Sequence, residues 1–373
     1  MEWISDSSAL NARLTAAAPD RIGLDTEFIR ERTWWPQLAL VQIAIPGPQA
    51  SEPEILLVDP LAPGMGDALG AILADPSVLK IMHSASEDLV ALKHACGVVP
   101  TPLFDTQIAA ALAGVGAGVG YQRLVQDTLG IALEKGETRS DWLRRPLTPS
   151  QLEYAADDVR YLFGLHDDLD ARLATLGRRA WLDEDCARLV SNAQRDELDP
   201  WPHLGLRAAQ TLNADAQIRL MRLLRWRDAY ARDNDRPRTW ILDNELAGTL
   251  ARSPPADVAR LQSILDTHPK APRKLASAIW SALHTTLPDE NLAPAIRSDE
   301  RDKEGLRKLQ LAVAVRSAEL GLPDGVLASR RWLQPLLDGN GWPGPLSGWR
   351  RAQLEPTLAP LLPPTGGNPD PSV

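Results

Sequence analysis

Two apolar runs set the pattern of the N-terminal part. Ile22-Gly-Leu24 meets Asp25 and Glu27 one residue apart, and after a polar turn comes Gln37-Leu-Ala-Leu-Val-Gln-Ile-Ala-Ile45. Runs of this length on either side of a turn predict two adjacent strands, with Asp25 and Glu27 projecting from one face. Glu54–Val58, Val78–His83 and the short Pro102–Asp105 predict further strands, with helices over Gly66–Ala74 and Glu87–Ala95 between them. Early strands joined by short turns, then strands separated by helices, predict a mixed sheet flanked by helices. Thr148-Pro-Ser-Gln151 is a capping box with proline at the first helical position, and it opens a long helix. Tyr154 and Asp158 share one face of that helix, whereas Asp157 lies about 100° around it. Past a break at Asp199-Pro-Trp-Pro202 the pattern turns helical: Ile218, Leu220, Met221, Leu224, Trp226 and Tyr230 recur at helical spacing, with Trp226 expected in the core. A weaker helical stretch runs from 291 to 362, and the Pro- and Gly-rich tail from Pro363 is expected to be disordered.

Composition narrows the class. With 373 residues, 44% of them hydrophobic, the chain is long enough for two or three packed domains. No run is apolar enough to span a bilayer, and Met1-Glu-Trp-Ile-Ser-Asp6 lacks a basic flank and an apolar signal core. The expectation is a cytoplasmic protein with no membrane partner. Cys96 and Cys186 form no Cys-x-x-Cys pair, which argues against a zinc site or a disulfide framework. The net charge of −9 weighs against nucleic acid, yet it is uneven: about −13 through residue 206, about +3 over 207–290 and about +1 beyond. An acidic region working through cations, joined to mildly basic modules that hold a polymer, accommodates those totals. The run Ala113–Gly120 has no Lys-Ser/Thr ending and reads as a flexible loop rather than a phosphate cradle.

Asp25 and Glu27 are like charges with no Lys or Arg inside their motif, so a hard divalent cation with oxygen ligands is their natural partner. A lone Asp-x-Glu also fits a strand end whose acids face solvent. Asp88, in Ser84-Ala-Ser-Glu-Asp88, sits at a strand-to-helix corner. Residues 134–147 carry Lys135, Arg139, Arg144, Arg145 and Trp142, a composition that suits single-stranded RNA. The same composition also fits a loop in which Trp142 packs on the core and Arg139 pairs with Asp141.

Asp25-Thr-Glu27, Asp88 and Tyr154-x-x-x-Asp158 resemble the three exonuclease motifs of the DEDD superfamily in its tyrosine-bearing variety. More narrowly the chain resembles the bacterial ribonuclease D family, through Thr33-Trp-Trp-Pro-Gln-Leu38, Phe104-Asp-Thr-Gln107, Glu137–Thr148, Leu327–Arg331 and Ser347-Gly-Trp-Arg350. The resemblance implies an α/β ribonuclease H-like exonuclease domain at 1–200, then two small all-α domains: an HRDC-type module at 207–288 and an HRDC-like one at 291–362, before the tail 363–373. It implies a metal-dependent 3′-to-5′ exoribonuclease that releases nucleoside 5′-monophosphates from RNA, with tRNA precursors bearing unpaired 3′ ends as the expected partners. Two Mg²⁺ or Mn²⁺ ions per site are implied, held by Asp25, Glu27, Asp88 and Asp158, with Tyr154 acting on the attacking water. Thr26, Phe28, Arg139 and Trp142 are expected to contact substrate. A DNA exonuclease of the same superfamily and a non-enzymatic RNA-binding protein on a nuclease scaffold are the rival readings. A monomer is the favoured state, and the sequence does not specify it.

Overall fold

The computed structural model describes residues 1–47, 52–133, 136–137, 140–195, 197–294, 302–339 and 341–362. Lys135, Arg139 and the tail 363–373 lie outside them. The first part of the chain runs β1 (Glu2–Ile4), α1 (Ser7–Ala17), β2 (Arg21–Ile29), β3 (Gln37–Ile45), β4 (Glu54–Val58), α2 (Met65–Ala74), β5 (Leu79–Met82), α3 (Ser86–Cys96), β6 (Leu103–Asp105) and α4 (Thr106–Leu112). Then follow α5 (Tyr121–Leu129), α6 (Pro149–Arg160), α7 (Leu162–Thr175) and α8 (Arg179–Gln194). The remainder is helical: α9 (Ala214–Asp233), α10 (Arg238–Ile241), α11 (Asn244–Arg252), α12 (Val258–Thr267), α13 (Ala276–His284), α14 (Lys303–Glu319), α15 (Arg330–Leu337) and α16 (Trp349–Leu358).

The six strands form one mixed sheet in the order β1-β4-β3-β2-β5-β6. β2 runs parallel to β5, β5 to β6 and β1 to β4, while β3 and β4 are antiparallel. β2 and β3 read as nearly continuous apolar runs because helices cover both faces of the sheet centre, so Ile22, Leu24, Leu40 and Ile43 are fully buried. The expected capping box is formed: Thr148 Oγ1 accepts from the Gln151 N–H, and the Gln151 side chain accepts from the Thr148 N–H. It fixes the start, and hence the rotational register, of α6 over the sheet.

The chain divides into two compact units. One comprises Met1–Ile29, Leu38–Arg195 and the chain from Asp302; the other comprises Arg30–Gln37 and Asp196–Arg301. The helices from Asp302 on, read from the sequence as a second helical domain, thus fall in the same unit as the α/β layers. Arg350 ties them in with a two-pronged ion pair to buried Asp185 at 2.5 and 2.8 Å, and the Trp349 ring stacks on Trp181 with centroids 4.4 Å apart. The Ser347-Gly-Trp-Arg350 stretch is therefore a structural lock. In the other unit Leu220, Leu224, Leu250, Leu265, Ile279 and Leu283 build a separate helical core, and Trp226, expected within it, packs half-buried against it. Asp235 caps the backbone N–H groups of Trp34 and Trp35 at 2.9 and 3.0 Å, which fastens the 30–37 segment to this unit.

Candidate active site

The acids come from three places in the sheet and its covering helices. Asp25 and Glu27 lie on β2, Asp88 in the first turn of α3, and Asp158 on α6 with Tyr154 one turn earlier. The β5–α3 corner that presents Asp88 is tied down by buried Asp105, whose carboxylate accepts from the backbone N–H groups of Ala85, Gln107 and Ile108 at 2.8–3.1 Å. Sequence reasoning passed over Asp105 as a site-building residue. Its place in Asp-Thr-Gln, just before a helix, is the N-cap signal that would have found it.

The electrostatics link the acids, Asp88 acting on each of the other three. Burial, and then the nearby Asp88, Asp158 and Glu27, hold the Asp25 carboxyl well above the usual carboxylate range. Glu27 is pushed up to about 8 by burial and then by Asp158 and Asp88. Asp158 rises to about 7 through burial, Asp157 and Asp88. Asp88 rises to about 6 through burial, against the opposing effect of the Thr26 hydroxyl that donates to it. Tyr154 is raised by burial and by Asp158, Glu27 and Asp25, which keeps its phenol protonated. Asp157 points elsewhere: it pairs with Arg160 at 2.6 Å, as the helical spacing predicts.

The expected substrate contacts are placed as follows. Thr26 is buried, and its hydroxyl is engaged by Asp88, so any contact it makes with substrate must come from its backbone. Phe28 is half-buried at the edge of the core. Trp142 does not present a stacking face: it is 3% exposed, and its ring lies 6.1 Å from that of Tyr154, which it buttresses. Arg145 is likewise engaged, by Asp59 at 2.7 Å and by the backbone carbonyls of Ala39 and Trp142. Gly136, not singled out from the sequence, runs against Tyr154 so closely that a Cβ there would fall 1.8 Å from the ring. A lone glycine in a polar stretch gives no sequence signal of such a contact.

Four acids, Asp88 buried and Asp25, Glu27 and Asp158 half-buried, with burial raising all four and Asp88 raising the other three, and with no ion pair among the described residues, make an all-oxygen donor set of the kind hard divalent cations take. Among the described residues they do not converge on one point at coordinating distance, so the fit rests on the chemistry of the donors.

Comparison with known proteins decides the family. Residues 1–174 match the 3′-5′ exonuclease family model and residues 217–283 the HRDC domain model. The chain is 61% identical to the ribonuclease D of Xanthomonas oryzae pv. oryzae, over 96% of this chain and 98% of that one. It belongs to the ribonuclease D family. The ribonuclease D of Pseudomonas paraeruginosa is 36% identical over 96% of each chain. The crystal structure of Escherichia coli RNase D, described as an exoribonuclease involved in structured RNA processing, superposes with a TM-score of 0.82 at 30% identity, covering 96% of this chain and 97% of that one. Within this family the chain is a 3′-to-5′ exoribonuclease whose partner is RNA, and DEDD exonucleases as a class depend on divalent metal.

Proposed function

We propose that the protein removes nucleoside 5′-monophosphates one at a time from the unpaired 3′ ends of structured RNA, tRNA precursors among them, in the bacterial cytoplasm. The observation that carries this reading is the set of four acids with raised pKa values, three of them raised in part by Asp88, linked electrostatically to Tyr154. Asp25, Glu27 and Asp158 would hold one Mg²⁺ or Mn²⁺, and Asp25 and Asp88 a second. Two such ions would stabilise the charge on the entering and leaving oxygens of an in-line displacement at phosphorus. The water's oxygen would bond to phosphorus, losing a proton to solvent, as the bond to the 3′-oxygen of the preceding nucleotide breaks, and that oxygen would take up a proton from solvent. Because a phenol has an ordinary pKa near 10, and burial raises that of Tyr154, it would orient the attacking water rather than remove its proton. Thr26 keeps the Asp88 carboxylate in one rotamer, and Trp142 and Gly136 together fix the Tyr154 ring.

The helical unit would hold the RNA. Arg236, Lys270, Arg273 and Lys274 line a cleft of about 700 Å³ with Tyr230 on its wall, a combination suited to phosphate and base contact. The test compares mononucleotide release from a 3′-tailed RNA and a DNA of the same sequence in Mg²⁺, Mn²⁺ or chelator. Release of 5′-monophosphates from RNA in either metal, and none in chelator, supports the reading. Equal rates on DNA favour the DNA-exonuclease alternative, and no release from either polymer favours a binding protein on a nuclease scaffold.

A further inference from the structure

Gln42 is the one polar residue in the buried stretch Leu38–Ile45 of β3, and it is completely inaccessible to solvent. Among the described residues, neither its Oε1 nor its Nε2 has a hydrogen-bond partner. A buried amide left unpaired destabilises a fold, and an apolar side chain at the same place would not. A sequence that keeps glutamine there departs from the local rule, and such departures gather at functional sites.

The sheet shows which site. β2 and β3 are hydrogen-bonded neighbours joined by residues 30–36, a link too short for a parallel crossover, so they run antiparallel. A Cβ at Gly23 would lie 3.1 Å from the Ala44 Cβ. That closeness requires the two residues to be directly opposite, since diagonal neighbours stand roughly 7–8 Å apart. Two residues along β2 and two back along β3, on the same face, Asp25 is opposite Gln42. Leu57 of β4 is the partner of Gln42 on its other side. Gly23 also approaches Leu162 at the start of α7, and α6 packs across β2 and β4. The face is therefore the one that Asp158 and Tyr154 cover.

We propose that Gln42 is a positioning residue for Asp25: its carboxamide donates to the Asp25 carboxylate when the acid cluster holds its cations, and fixes the carboxylate oxygens for them. The inference rests on the metal-dependent reading above. It assigns a reason to an amide that the fold alone would exclude. Outer hydrogen bonds of this kind set metal affinity or activity by factors of about 10–100.

The test uses the full chain with Gln42→Leu and, as an unbranched alternative, Gln42→Met. In chelator the melting temperature of the variants should equal or exceed that of the wild type, because two unpaired buried polar atoms are gone. With Mn²⁺ added, the concentration giving half of the metal-induced rise in melting temperature should increase about 10–100-fold. The kcat on a short single-stranded RNA should fall by a similar factor, with KM for the RNA within about threefold. A half-saturating Mn²⁺ concentration within twofold of wild type in either folded variant overturns the proposal, whatever happens to turnover. Loss of a cooperative melt in both variants makes Gln42 structural and overturns it too. If the wild type itself shows no metal-induced rise, the failure lies in the metal-dependent reading instead.

Discussion

Replacing Glu27 by glutamine should make the metal-free protein more stable. Glu27 is pushed up to about 8 from an ordinary value of 4.5, by burial first and by Asp158 and Asp88 next. A carboxyl whose pKa is raised on folding contributes stability that is complete below its unfolded pKa and is lost as pH rises through the folded one. The metal-free fold should therefore weaken between about pH 4.5 and pH 8, whereas the neutral amide of the Glu27→Gln variant cannot ionise. The rise from 4.5 to about 8 corresponds to a ceiling of about 5 kcal/mol, which movement of the acids apart will reduce. If about 2 kcal/mol survives, at about 2–4 °C per kcal/mol the melting temperature in chelator at pH 8.5 rises by about 4–8 °C. At pH 4.5 the variant and wild type should melt within about 1 °C of each other. Saturating Mg²⁺ should reverse the order at pH 8.5, because binding to the native state stabilises in proportion to affinity and the variant has lost a ligand charge. Circular-dichroism melts at the two pH values, with chelator and with Mg²⁺, make the measurement. A Glu27→Gln variant no more stable than wild type in chelator at pH 8.5 would refute the claim that Glu27 sits in a mutually repelling buried cluster.

Asp25→Asn and Asp88→Asn should fold normally and lower turnover at least ~10³-fold, and undiminished hydrolysis by either would remove that residue from the site. Asp158→Asn should abolish activity, whereas Asp157→Asn, on a neighbouring face of the helix and paired with Arg160, should be mild, within about twofold of wild-type turnover. The reverse pattern would contradict the placement of α6. Gly136→Ala drives a methyl group into the Tyr154 ring, so kcat on a short oligonucleotide should drop about 10–100-fold with the melting temperature nearly unchanged. An unaffected kcat would mean that the Tyr154 position does not matter. Neutralising Lys270, Arg273 and Lys274 together should weaken binding of structured RNA and flatten its salt dependence while leaving single-turnover cleavage of a short oligonucleotide within about threefold; an unchanged salt slope removes this cleft from the RNA path.

The site was legible in the sequence where local spacing carries the information. Two acids alternating on a strand, and a tyrosine and an acid one helical turn apart, are fixed by strand and helix geometry, and the same geometry separated Asp158 from Asp157. Residues whose role depends on a contact far along the chain were not legible. Trp142 and Arg145 have the composition of an RNA-binding loop, yet the fold engages the indole under Tyr154 and the guanidinium on Asp59, 86 residues away in the chain. The strand order was equally hidden, because the pairing of β2 with β5 is decided by sheet packing rather than by either strand's pattern. Three-residue β1 is too short to give a periodic signal and exists through its pairing with β4. Likewise the helices from Asp302 have a pattern that fits a free-standing domain. Contacts between residues with no local relation, the Arg350–Asp185 pair and the Trp349–Trp181 stack among them, show that they build onto the α/β layers.

Counting bound metal tests the central claim most directly. The full chain would be titrated with Mn²⁺ at pH 8, with a cleavage-resistant phosphorothioate RNA oligonucleotide bound, and free ion followed by electron paramagnetic resonance. The account predicts two tightly held Mn²⁺ per chain, falling to one in Asp88→Asn and to none in Asp25→Asn, the ligand shared by both ions. Binding of no Mn²⁺ by the wild type, or a count that both substitutions leave unchanged, would contradict it.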